Sequence, residues 1–254
     1  MKRKIIIIAL AVLGGAAILA IGLWRAHVAG KSKSAYFVIV RDLSDSVLSG
    51  CDCTAALVKR AFADPHAGNG STVTVTGTGD ASSAGEPKLV MSVPVPATRN
   101  ALEDRDAAGK LREKVIGDIK AECEKLKQTK VSPIFIAIKR AVEHLRASGC
   151  GKETGCTVYV QSDLEETGDS QIKAALNRTG TDKPPLPEPI NNDGIRIIFC
   201  GIAETSGEAT SSDGRKRALT PVHNPQRADR IRAVWSALFT NPERLTFEPY
   251  CGAK

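Results

Sequence analysis

The chain has 254 residues, 42% of them hydrophobic and 25% charged, enough for one sizeable α/β core and short for two. An aromatic content of 4% disfavours a surface that stacks bases or sugars. The net charge of +7 is local: residues 1–34 hold Lys2, Arg3, Lys4, Arg25, Lys31 and Lys33 and no acid, which leaves residues 35–254 one charge above neutral. Basic residues that flank an apolar run speak to membrane topology, so no nucleic-acid partner is expected.

That run is Ile5–Trp24, twenty residues without a charge. As a helix rising ~1.5 Å per residue it reaches roughly 30 Å, the hydrocarbon thickness of a bilayer. A cleaved secretory signal, with Val28-Ala29-Gly30 as the cleavage site, is the rival, but its apolar stretch usually spans only ~7–15 residues. Length favours an uncleaved single-pass anchor. Three basic residues on either side leave the positive-inside rule little to choose between orientations.

Seven cysteines lean toward an oxidising compartment, so the soluble part is expected outside the cytoplasm. Cys150 and Cys156 bracket five residues, two of them glycine, and are expected to bond to each other. Cys51 and Cys53 form a C-x-C pair whose expected role is structural, buried or disulfide-bonded. Cys123 and Cys251 are isolated, and no C-x-x-C or H-x-x-x-H spacing supports zinc.

After the anchor, Tyr36-Phe37-Val38-Ile39-Val40 reads as a strand buried on both faces. A helix through Ala55, Leu57, Val58 and Phe62 follows. Ser71–Thr78 and Lys88–Val93 then form a hairpin at a sheet edge. Arg99–Lys127 carries Leu111, Val115, Ile119, Cys123 and Leu126 at helical spacing. Ser132-Pro133 opens a helix with Ile134, Ile138, Ala141, Val142 and Leu145 on one face, and serine before proline is an ordinary helix cap. Thr157–Gln161 is a strand, Ser170–Asn177 a short helix and Lys183–Pro189 a stiff connection. Ile195–Ile202 is a second strand buried on both faces. Ala203–His223 reads as a polar loop. Asn224-Pro225 starts a last helix with Ile231, Val234, Trp235 and Leu238, and Leu245–Phe247 is a final strand. Strands alternating with helices predict an α/β fold, a doubly wound and mostly parallel sheet with helices on both faces.

The polar stretch after the first strand is Asp42-Leu43-Ser44-Asp45-Ser46, a D-x-S-x-S pattern at a strand's carboxyl end, where doubly wound sheets bind ligands. Closely spaced carboxylate and hydroxyl oxygens suit a hard cation such as Mg²⁺. Taken alone, such spacing also describes an ordinary turn. Two further segments share its character: Ser132-Pro133-Ile134-Phe135-Ile136-Ala137-Ile138 and Val158-Tyr159-Val160-Gln161-Ser162-Asp163.

With these three segments the chain resembles the von Willebrand factor A (vWA) domain family and its metal-ion-dependent adhesion site, over roughly residues 35–250. Asp42, Ser44 and Ser46 match the family's first motif. Ser132 stands where the family has a threonine before a T-P-L-x-x-A-L helix, and Asp163 matches the aspartate that ends a later strand. Leu164 replaces the glycine that usually follows that aspartate, which bears on the loop's geometry.

The resemblance implies a Mg²⁺ (or Mn²⁺) site at Asp42, Ser44, Ser46, Ser132 and Asp163, with hydroxyls touching the metal and carboxylates acting mostly through water. An Asp or Glu of a partner protein would complete the shell, giving recognition without turnover. The expected organisation is a membrane anchor and linker at 1–34 and a vWA-like domain at 35–254. Both aspartates are expected at the solvent-facing rim of the sheet. The alternatives are a metal-independent scaffold and an aspartate-dependent phosphohydrolase using Asp42, with Asp45, Lys139 and Lys173 as helpers. A Ser44 or Ser46 triad finds no support in the scattered histidines His27, His66, His144 and His223.

Overall fold

A computed structural model describes residues 34–44, 50–68, 70–78, 88–96, 105–151, 154–178, 184–202 and 225–250, with the short pairs 204–205, 209–210, 216–217 and 222–223. The proposed anchor at 5–24 and the candidate ligand Ser46 lie outside these residues. Ser34–Lys254 forms one compact unit. Among the described residues no helix is long and apolar enough to cross a membrane.

The elements follow in chain order: β1 (Tyr36–Arg41), α1 (Cys51–Ala63), β2 (Thr72–Gly77), β3 (Lys88–Pro94), α2 (Arg105–Glu124), α3 (Ile134–Ala147), β4 (Cys156–Gln161), α4 (Ser170–Leu176) and β5 (Ile195–Cys200). After them come four two-residue strands, β6 (Glu204–Thr205), β7 (Ala209–Thr210), β8 (Lys216–Arg217) and β9 (Val222–His223), then α5 (Pro225–Ala237) and β10 (Leu245–Glu248). The main sheet has the order β10-β5-β4-β1-β2-β3. Every pairing in it is parallel except β2 with β3. The 71–93 region is the expected edge hairpin, with β3 on the rim. The 203–223 region differs from the expected loop: β6 pairs with β9 and β7 with β8, both antiparallel. Ladders two residues long carry no periodicity that a sequence could display.

Alternating side chains of the sheet feed two cores. Val38, Val40, Val158, Val160, Ile197 and Phe199 pack with Ile134 and Ile138 of α3 and with Ile231 and Trp235 of α5. On the opposite face Phe37, Ile39, Val73, Val75, Tyr159 and Ile198 meet Leu57, Val58 and Phe62 of α1 and Ile119 of α2. Both faces of β1 and β4, and of β5 apart from the exposed Arg196, are therefore buried, which is why these strands read as largely apolar. Phe199 anchors the first core by stacking on Phe247 at 4.9 Å between centroids and tilting against Trp235 at 5.8 Å.

Cys150 and Cys156 are disulfide-bonded with their Cα atoms 6.0 Å apart, as the short loop suggested. Cys51 bonds to Cys123 across 72 residues of chain, a partnership that spacing does not reveal. Cys53 is also disulfide-bonded, and Cys200 is a buried thiol.

The strand order reverses between β1 and β4. The chain winds from β1 toward β2 on one side and from β4 through β5 to β10 on the other. Where helices leave a sheet in opposite directions, the carboxyl ends of the two strands open onto a crevice. β1 and β4 run in register with Arg41 opposite Gln161, so Asp42 and Ser162-Asp163 emerge side by side.

Candidate functional site

Asp42 is the hub of this crevice. Its backbone N–H still donates to the Gln161 carbonyl at 2.9 Å, which fixes the residue at the end of the β1–β4 ladder. Oδ1 accepts from the Ser44 N–H at 2.9 Å and from the Ser132 hydroxyl at 2.8 Å. Oδ2 accepts from Ser162 at 2.8 Å and shares the Ser132 proton at 3.0 Å. Ser44 is held from behind, since the adjacent Leu43 carbonyl accepts from Thr129 N–H at 2.8 Å and its N–H donates to Thr78 Oγ1 at 3.0 Å. Three of the sequence candidates, Asp42, Ser44 and Ser132, thus meet directly. Asp163 follows Ser162 without a gap, and its Oδ1 accepts from the Glu165 N–H at 3.0 Å.

Two expectations need correction. Asp42 and Asp163 are not rim residues: they are 2% and 4% exposed, because the start of α3 and the loop after β4 close over the strand ends. Nor does Ser132 cap α3. The cap position is Pro133, with no side-chain cap bond, and the Ser132 hydroxyl is committed to Asp42.

Leu164 has a φ of 62°, the left-handed region that costs an L-residue ~1–2 kcal/mol and a glycine almost nothing. It therefore adopts the backbone that a glycine at this point would supply. Its fully buried side chain belongs to the α3/α5 core, and its carbonyl accepts from Trp235 Nε1 at 3.1 Å. Leu164→Ala keeps the strain and loses the packing, at ~2–5 kcal/mol. Leu164→Gly loses the packing and relieves the strain, so glycine is expected to be the milder change by about 1 kcal/mol. Chemical denaturation checks this ordering. An alanine variant more stable than the glycine variant would contradict it.

The sequence did not single out Ser162, Glu165, Glu166 or Arg227. Ser162 was adjacent to a candidate, and a hydroxyl beside a strand-end aspartate was its only signal. Glu165 and Arg227 form an ion pair, with Arg227 Nε 2.6 Å from Oε1 and a second contact from Nη2 to Oε2. That bond holds the Arg227 pKa above its ordinary value, and the Asp163 charge adds to the effect. A fixed cation on α5 therefore stands near Asp163, partly offset by Glu165. Glu166 is 2% exposed. Burial pushes its carboxyl up to about 7, against three backbone N–H bonds that pull it down.

No family model matches the chain, and no curated protein matches it significantly by sequence. Among solved structures it is similar to manganese-loaded TRAP protein from Plasmodium vivax, at 9% identity and a TM-score of 0.37, covering 66% of this chain and 57% of that one. The chain thus spans little more than half of that protein's resolved length. An uncharacterised membrane-spanning protein from Vibrio fischeri is similar at 12% identity and a TM-score of 0.26, covering 85% and 91% of the two chains. At such TM-scores neither likeness bears on function, and the doubly wound architecture rests on the chain's own strand order.

The donor set itself tests a cation. Every polar side-chain atom from Asp42, Ser44, Ser132, Ser162 and Asp163 is an oxygen, which suits Mg²⁺ or Mn²⁺. Among the described residues no three His, Cys, Asp or Glu side chains gather into a metal cage, so any ion would depend on hydroxyls. Ser132 and Ser162 give their protons to Asp42. Ser162 Oγ also accepts the Leu164 N–H at 2.9 Å, so each hydroxyl keeps at least one lone pair that a cation could use. The residues fit a hard divalent ion.

Proposed function

We propose that the chain is a single-pass, membrane-anchored vWA-type binding domain, facing away from the cytoplasm, that holds Mg²⁺ (or Mn²⁺) at Asp42, Ser44, Ser46, Ser132 and Asp163 and through it recognises an Asp or Glu of a partner protein. One observation carries the reading: the hydroxyl that precedes α3 crosses the β1/β4 crevice to the carboxylate that ends β1, at 2.8 Å. Two segments 90 residues apart thereby form a single oxygen-lined cluster. The ion, when bound, supplies a Lewis-acidic position for a carboxylate. The chain's residues orient it, and the two aspartates compensate its charge.

Binding rather than catalysis is favoured by the state of Asp42. Both of its oxygens accept hydrogen bonds in a buried setting, a poor disposition for a nucleophile that must attack phosphorus. The disulfides support an oxidising compartment, and the uncharged Ile5–Trp24 run supports the anchor.

A metal-independent scaffold is the second reading. The Asp42 network is already satisfied by protein donors, which is what a purely structural cluster would need. Titration calorimetry of the full-length chain with Mn²⁺ decides between them. Saturable binding is expected for the wild type, weakened tenfold or more, about 1.4 kcal/mol, by Asp163→Asn. Absence of any binding to the wild type would leave the scaffold.

A further inference from the structure

Ser132 and Asp163 come from opposite ends of a helix–strand unit, and a short run after Asp163 ties them together. The Ser132 N–H donates to Thr167 Oγ1 at 2.7 Å. The Ser132 carbonyl accepts from Thr167 N–H at 3.2 Å and Gly168 N–H at 3.3 Å. Thus Ser132 is gripped through both of its backbone polar groups. One turn along, the Phe135 N–H donates to Glu166 Oε2 at 2.7 Å, while Oε1 accepts from Gly168 N–H at 2.6 Å and Asp169 N–H at 3.1 Å.

The choice of cap is informative. A helix leaves its first N–H groups without intrahelical partners, and a serine just before it is the inexpensive way to satisfy one. Ser132 stands one residue before the cap position, Pro133, and the helix start has no cap bond from that position's side chain, while the Ser132 hydroxyl goes to Asp42. A buried glutamate takes the Phe135 N–H instead, although burying a carboxyl is costly. What the arrangement secures is the Ser132 hydroxyl, left to reach Asp42. Gly168 lets the run lie close: a Cβ there would sit 2.8 Å from both Cα and Cβ of Pro133 and 3.0 Å from Glu166 Oε1.

We infer that Glu166, Thr167 and Gly168 form a clamp that takes over the capping of α3 and so positions the Ser132 hydroxyl against Asp42 for cation binding. This rests on the metal reading above. None of the three touches the ion; they are positioning residues. Releasing the clamp lets Ser132 turn to cap its own helix and leave the site.

The test is Mn²⁺ titration of the full-length chain in detergent, paired with thermal melting in chelator. Thr167→Val removes the acceptor for Ser132 N–H without changing charge or shape. Gly168→Ala wedges the run from Pro133, and Glu166→Ala deletes the substitute cap. Each is expected to weaken Mn²⁺ binding by roughly 10–100-fold, the usual cost of losing a group that orients a ligand. Glu166→Gln, which still offers one carbonyl oxygen, should lie between Glu166→Ala and the wild type. A purely structural role would lower the chelator melting temperature and leave the Mn²⁺ affinity of the folded protein unchanged. That result in Thr167→Val and Gly168→Ala, with a wild type that binds, would overturn the clamp alone. A wild type that binds no Mn²⁺ would overturn the metal reading and the clamp with it.

Discussion

Asp42→Ala is expected to destabilise the metal-free domain by roughly 2–4 kcal/mol and to abolish divalent-cation binding. The carboxylate accepts from Ser44 N–H, the Ser132 hydroxyl and the Ser162 hydroxyl, and bonds to a charged acceptor contribute ~1.5–3 kcal/mol each. Simple addition overshoots, because alanine also removes the cost of burying the carboxylate and the two hydroxyls can rotate toward other acceptors. The Ser44 N–H cannot rotate, so it bears most of the loss.

Asp42→Asn separates the two effects. Its Oδ1 can still accept from Ser44 and Ser132, and its amide can donate to Ser162, whose oxygen has a second lone pair. Stability should then fall by only ~1 kcal/mol, while cation affinity collapses with the lost charge. Denaturation in chelator, alongside Mn²⁺ titration, reads both. An alanine variant as stable as the wild type would mean that the hydrogen-bonded hub contributes nothing to the fold.

The rim expectation for Asp42 and Asp163 failed for a physical reason that extends to other parts of the molecule. Strand ends in a doubly wound sheet are predictable, but what lies over them depends on loops from elsewhere. β1, β4 and β5 were legible because strands buried on both faces are mostly apolar, with Arg196 the one exposed charge in β5. The hairpin was legible because Val73 and Val75 alternate with threonines. The meeting of Asp42, Ser44 and Ser132 was legible because their segments each end or begin a periodic element. Glu166 was not, since a glutamate in a polar loop looks solvated until its partners at Phe135, Gly168 and Asp169 are known. Arg227 bears on Asp163 only through the placement of α5. Leu164 looked like a departure from glycine and proves to reproduce a glycine's backbone. Its cost is carried by packing in the α3/α5 core, which no local pattern reports.

Removing the Cys51–Cys123 disulfide as a Cys51→Ser/Cys123→Ser pair is expected to cost about 4 kcal/mol, because the bond closes 72 residues and the loss of unfolded-chain entropy grows with loop length. The same argument gives only about 2 kcal/mol for Cys150–Cys156, which spans six. Native contacts around the longer bond point the same way. Cys51 is the first residue of α1 and Cys123 lies in the last turn of α2, so the bond joins two helices that share one face of the sheet. Arg41, next to Asp42, donates from Nη1 to Cys51 Sγ at 3.1 Å and to the Cys123 carbonyl at 3.2 Å. Burial lowers the Arg41 pKa while the neighbouring Asp42 charge raises it. A domain of this size loses ~2–4 °C of melting temperature per kcal/mol, so the serine pair at 51 and 123 should melt roughly 8–16 °C below the wild type. The pair at 150 and 156 should show about half that drop. Differential scanning calorimetry of the two double variants reads the order directly. Equal drops, or a larger one at 150 and 156, would mean that local strain and contacts, not chain entropy, set the value of these bonds.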